Sequence, residues 1–155
     1  MSTGSPDSTS AQLPQPDATH HPNAVRHRSA GAIVFKDGQV LILRKVNGEW
    51  VFPKGHIEPR EKSRATARRE VLEESGVQAD IGEYLGTTSY IYSGSRQLEH
   101  RKRVDWFIAT WRAREPRPEP GFFQEARWAE PGEAAKLLTF EEDRDILAQS
   151  LKLRP

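Results

Sequence analysis

Three glutamates, Glu70, Glu73 and Glu74, stand at positions i, i+3 and i+4 of a stretch that contains neither proline nor glycine. A helix turns about 100° per residue, so this spacing projects the three carboxylates from one face. Carboxylates held that close repel one another unless a cation lies between them. A donor set made only of oxygen suits Mg²⁺ or Mn²⁺ rather than zinc. Gly55 opens the loop ahead of this stretch, and a residue without a side chain lets the main chain approach a metal or a phosphate closely. Acidic face and glycine loop together are what a divalent cation and a diphosphate need.

The elements that must position these groups can be read along the chain. At 155 residues the sequence suits one domain with one core. A formal net charge of +1 gives no global field toward nucleic acid or membrane, so neither is an expected partner. The absence of cysteine excludes disulfides and thiol catalysis and suits a reducing compartment. The longest apolar run, Ala30 to Phe35, is far too short to span a bilayer, and the amino end lacks the layout of a signal peptide. A cytoplasmic protein, monomer or homodimer, is the expectation.

Residues 1–27 are rich in Ser, Thr, Pro, Gln and Asp and offer little apolar surface, which predicts a disordered tail ahead of a domain over 28–155. His20 and His21 in that tail read as a solvated pair rather than a metal site, since nothing nearby completes the coordination. Residues 30–35 and 39–44 flank Asp37-Gly38, a hairpin signal, and a short strand over Trp50–Phe52 ends at Pro53. A helix is predicted from Ser63 to Ser75, ended by Gly76, with Ala65 and Leu72 packing on one side and Ala67 and Val71 on another. Strands over Gln78–Tyr92, Arg101–Trp111 and Arg127–Ala129 and a helix over Phe140–Leu151 complete a mixed α/β reading.

The full run, Gly55, five residues, Glu61, seven residues, then Arg69-Glu70-Val71-Leu72-Glu73-Glu74-Ser75-Gly76-Val77, resembles the Nudix box, G-x5-E-x7-R-E-U-x-E-E-x-G-U with U aliphatic. The resemblance implies an α/β/α sandwich with a mixed β-sheet. It also implies a Mg²⁺-dependent pyrophosphohydrolase in which water attacks phosphorus in line. Glu70, Glu73, Glu74 and Gly55 would hold the metal. Glu61 and Arg69 would form a pair closing the loop onto the helix, so that Arg69 belongs to the catalytic set. Glu73 and Glu58 are both candidate bases, and similar enzymes sometimes supply the base from a distant loop, where Glu99, Glu119 and Glu125 stay open.

The flanks bear on substrate. Trp50-Val51-Phe52-Pro53-Lys54-Gly55-His56-Ile57-Glu58-Pro59 is similar to the Pro-Lys-Gly-His run of asymmetrical diadenosine polyphosphate hydrolases. Lys54 and His56 make sensible phosphate contacts, because a long polyphosphate carries charge beyond what metals cover. Arg60 departs from the glycine of that pattern and lacks glycine's freedom at positive φ. Tyr90 and Tyr92 share one strand face, where Tyr92 could stack on a base or the pair could simply pack, beside the Ser93-Gly94-Ser95 loop. Lys102, in the basic run Arg101-Lys102-Arg103, and Arg44 are further candidate phosphate or nucleotide contacts, whereas Trp106 reads as core. Diphosphoinositol polyphosphates, damaged nucleoside triphosphates and a non-catalytic nucleotide-binding regulator are the alternatives.

Overall fold

The computed structural model describes residues 24–94 and 98–154. His20, His21 and Ser95 lie outside the described residues. The chain runs through β1 (Val25–Lys36), β2 (Gln39–Lys45), β3 (Trp50–Val51), β4 (Lys54–His56), α1 (Ser63–Ser75), β5 (Gln78–Ser93), β6 (Glu99–Ala113), β7 (Phe123–Ala129), α2 (Pro131–Leu137) and α3 (Glu141–Leu153). The seven strands form one mixed sheet in the order β3-β2-β1-β6-β5, with β4 on β1 and β7 on β2. Its centre is the parallel pair β1–β6, from Val25 beside His100 to Phe35 beside Thr110.

Side chains alternate across a strand, and β1 uses both faces. Ala30, Ala32 and Val34 point into a core with Ala67 and Val71 of α1, Val77 and Phe107. Ile33 and Phe35 point the other way, into a core with Phe52, Trp106, Leu138, Ile146 and Leu147. The sheet therefore lies between α1 on one face and α2 with α3 on the other, an α/β/α sandwich. Trp106 is fully buried, as its sequence setting predicts.

Three details differ from the sequence reading. β1 starts at Val25, inside the predicted tail, because Val25, Arg26 and His27 find strand partners at His100, Arg101 and Lys102. The helix α1 is packed on one side only. Thr66, Ala67, Glu70, Val71 and Ser75 are buried, while Ala65 is exposed and Leu72 is 39% exposed. Finally, α2 and the short strand β4 were not anticipated. Gly76 does end α1, at φ 75°, its N–H bonding the Leu72 carbonyl.

Candidate functional site

The acidic face of α1 is held by one arginine. Arg69 donates from Nε to Glu61 Oε2 at 2.9 Å and from Nη2 to Glu61 Oε1 at 2.8 Å, a two-point pair. Its Nη1 reaches Glu70 at 2.8 Å and Glu73 at 3.2 Å, and its Nη2 also donates to the His56 carbonyl at 3.0 Å. Glu61 accepts further from Thr66 Oγ1 and from the Glu58 N–H. The loop carrying Gly55 to Glu61 is thereby clamped to α1. Arg69 and Thr66 together hold the Glu61 carboxyl down to about 2, and Glu61, with Glu73 and Glu70, raises the Arg69 guanidinium.

Glu70 and Glu74 turn inward. Glu70 is only 9% exposed, and its carboxyl group packs so tightly against Gly55 that a Cβ there would overlap it. Glu74 Oε1 accepts the Lys54 N–H at 3.1 Å. Burial, reinforced by charge repulsion from Glu73, pushes Glu70 up; burial, with Glu70 and Glu119 adding to it, pushes Glu74 to about 8. Two buried carboxylates that disfavour their own charge suit a site that takes up a cation. The main chain at Gly55, Glu70, Glu74 and the exposed Glu73 could hold a divalent metal, although Glu73 is turned to Arg69 in this arrangement.

Of the loop carboxylates, Glu119 is the one brought to this cluster: its N–H bonds the Glu74 carbonyl at 3.1 Å and its charge raises both Glu70 and Glu74. Glu99 accepts a hydrogen bond from Arg101 at 2.7 Å, and Glu125 forms an ion pair with Arg127 at 3.1 Å. The Glu58 side chain lies exposed on the turn that Arg60 completes at φ 68°.

Across β4, Lys54 leads from the acidic cluster into a cavity of about 520 Å³. Lys45, Lys54, Lys102, Tyr92, Phe140 and Asp143 are among its walls. Burial lowers the Lys102 ammonium, and Lys54 and Lys45 lower it further. Among the described residues neither Lys54 nor Lys102 has a carboxylate within ion-pair distance, whereas Lys45 meets Glu49 at 3.2 Å. The cavity thus gathers three of the five candidate substrate contacts, Lys54, Tyr92 and Lys102. It leaves out Arg44, which lies over Trp50 at 5.8 Å, and His56, which stacks on His27 at 5.7 Å. Tyr90 is committed to hydrogen bonds and packs edge-on to Phe140, so packing describes it better than base stacking.

Sequence reasoning missed Lys45, Phe140 and Asp143. Lys45 carried a faint signal, as the cation following Arg44 on the same strand end. Asp143 carried none, being one acid among several in the first turn of α3.

Residues 25–150 match the NUDIX domain family. The chain is 30% identical over 128 residues to a CTP pyrophosphohydrolase of Escherichia coli, covering 79% of this chain and 90% of that protein. It is 28% identical over 140 residues to the asymmetrical bis(5'-nucleosyl)-tetraphosphatase of Sus scrofa, covering 79% and 91%. The crystal structure of a C. elegans Ap4A hydrolase binary complex superposes with a TM-score of 0.67 at 22% identity, over 82% of this chain and 96% of that one, a likeness of fold.

Proposed function

The chain belongs to the NUDIX family of hydrolases, and from that premise we propose that it is a Mg²⁺- or Mn²⁺-dependent pyrophosphohydrolase of dinucleoside polyphosphates, with diadenosine tetraphosphate as its reference substrate. The observation that carries this reading is the cavity where Lys45, Lys54 and Lys102 converge beside the acidic face of α1. Burial, with Lys54 and Lys45 adding to it, disfavours the Lys102 charge, and an anionic chain relieves that cost. A polyphosphate laid from the cavity to Glu70 and Glu74 would pass Lys102 and Lys54 before the carboxylates of α1.

Glu70, Glu73, Glu74 and the main chain at Gly55 would hold the metal, which supplies charge neutralisation at the phosphates and a water of lowered pKa. The chain's own groups do the rest. Lys54 and Lys102 hold the phosphates beyond the scissile bond and fix the bridge for in-line attack. An O–P bond forms from water as the bridging P–O bond breaks, and the water proton passes to a carboxylate. Glu119 is our assignment for that base ahead of Glu58 and Glu73, because its charge is felt at both buried glutamates while Glu73 is engaged by Arg69. Arg69 serves by positioning, since its hydrogen bonds to Glu61 and the His56 carbonyl clamp the loop to α1.

A substrate panel with Mg²⁺ or Mn²⁺, products resolved chromatographically, tests the reading. Diadenosine tetraphosphate should give ATP and AMP and should be preferred over damaged triphosphates and diphosphoinositols; absence of that preference overturns the substrate assignment. A plain nucleoside triphosphate is the second reading, favoured by the likeness to the CTP pyrophosphohydrolase.

A further inference from the structure

Four flat rings stand in a row across four neighbouring strands, beside the cavity. They belong to His56 on β4, His27 on β1, His100 on β6 and Tyr92 on β5, and each is within 16° of parallel to the next. In the middle pair, His27 Nε2 and His100 Nδ1 are 3.1 Å apart, while the ring centres are 5.3 Å apart. Both distances hold together only if the two nitrogens lie near the line between the centres. The rings therefore meet edge to edge, nitrogen to nitrogen. One proton fits there, since two N–H groups would collide and none would set lone pair against lone pair. Gly94 holds His100 in this pose from behind: a Cβ there would overlap the outer ring nitrogen, Nε2.

Two neutral imidazoles so placed carry one proton between them and one outside, whichever tautomer is drawn. A third proton takes the remaining outer nitrogen and leaves the shared bond intact. A fourth would have to enter the occupied gap. The pair thus accepts one charge and refuses a second, as coupled sites do. Even the first is opposed, because burial, then His100, His56 and Lys102, all hold the His27 imidazole below its ordinary range. Lys102 is the strand partner of His27 and a wall of the cavity. Tyr92, whose ring centre lies 5.0 Å from that of His100, is another wall.

We propose that the His27–His100 pair takes up one proton when an anionic chain occupies the cavity, and so makes selection for phosphate charge depend on pH. The chain answers the charge of Lys102, and attraction replaces the repulsion that kept the proton off. The charge gained is spread over two rings beside Lys102. Both histidines act through Lys102 and Tyr92 and touch no reacting atom, so they are positioning residues. Linkage fixes the sign: the ligand raises the proton affinity of the pair, so binding strengthens as pH falls. The gain levels off once the pair is protonated without ligand. The proposal rests on the cavity binding phosphate, whichever polyphosphate length is preferred.

The test removes the titration and keeps the bond. In His27→Gln the amide nitrogen stands in for Nε2, and in His100→Asn the amide oxygen stands in for Nδ1, so the double variant retains the contact without an ionisable ring. KM for diadenosine tetraphosphate is followed from about pH 8 to about pH 5.5, where its internal phosphates keep a constant charge. Wild-type KM should fall about fivefold further over that range than KM of the double variant, with kcat showing no such difference. A fall that the double variant shares in full overturns the proposal. Nitrogen-15 NMR of the ring nitrogens in the wild-type chain reads the proton directly and carries the test if the double variant does not fold. Adding the methylene-bridged analogue of diadenosine tetraphosphate with Mg²⁺ at about pH 7.5 should bring one further proton to the pair. A proton count that the analogue leaves unchanged overturns the proposal. Should diadenosine tetraphosphate fail as a substrate, ATP and its methylene analogue decide in the same way, so the two readings fail separately.

Discussion

The junction around Arg69 and the cavity around Lys102 both concentrate charge beside β4, but they balance it differently. Arg69 is surrounded by Glu61, Glu70 and Glu73 at 2.8 to 3.2 Å, so its charge is answered within the chain. Lys102 is half-buried beside Lys54 and Lys45, and the structure opposes its charge. Internally answered charge fixes geometry; unanswered charge, held at a cost, implies a partner from outside. Substitution at the two places should therefore split stability from substrate binding.

The largest effect is expected where the two regions meet. Glu70→Gln keeps the packing on Gly55 but removes a charge from the acidic face, and turnover should fall about 10²-fold or more, the scale of metal-assisted charge stabilisation. Steady-state kinetics over a Mg²⁺ titration would measure it, and near-normal turnover would remove Glu70 from the metal set.

Next comes the clamp. Arg69→Ala strips the hydrogen bonds to Glu61, Glu70 and the His56 carbonyl, several of them partly exposed, so a loss of about 2 kcal/mol and roughly 4–8 °C in Tm is expected. Glu61 gives the deficit a pH signature. Its folded carboxyl is depressed from 4.5 to about 2, so its contribution is complete above 4.5 and is lost as pH falls toward 2. The Tm gap between wild type and Arg69→Ala should narrow across that window, as thermal melts at stepped pH would reveal.

Lys102→Ala should do the opposite. Removing a repelled ammonium should leave Tm unchanged or slightly higher, while KM for tetraphosphate and longer substrates rises about tenfold and short substrates respond little. A fall in Tm matching that of Arg69→Ala would erase the contrast between the regions.

The smallest effect concerns Arg60. Its φ of 68° lies in the left-handed region, which costs a non-glycine residue roughly 1–2 kcal/mol. Arg60→Gly should recover up to about 1 kcal/mol after the added unfolded-state entropy is subtracted. A rise in KM for long polyphosphates in the same variant would show that the strained arginine meets phosphate.

How much of this was legible in the sequence follows the range of the interactions. The hairpin at Asp37-Gly38, the end of α1 at Gly76 and the spacing of Glu61 against Arg69 are written in neighbouring residues, and each has its structural counterpart. The packing of α1 was misread because Ala65 and Leu72 are apolar by type yet face solvent. The helix is placed instead by Ala67, Val71 and the inward turn of Glu70. Asp143 was invisible because its hydrogen-bond partner, Tyr90, lies 53 residues earlier. The early start of β1 likewise depends on His100 to Lys102, which no local composition could announce.

The central pairing of β1 with β6 has a consequence for the chain's birth. Val25 meets His100 and Phe35 meets Thr110, so every rung joins residues 75 positions apart in the order of synthesis. When the ribosome has delivered residues up to Gly76, all the carboxylates of α1 and the Lys54 loop exist, yet the strand carrying Lys102 and flooring the cavity does not. Closing so long a loop delays the parallel pair relative to the hairpin, and domains with such non-local pairing fold late and slowly. A nascent chain therefore carries its entire motif for a time without any site, and competence arrives only once β6 is seated.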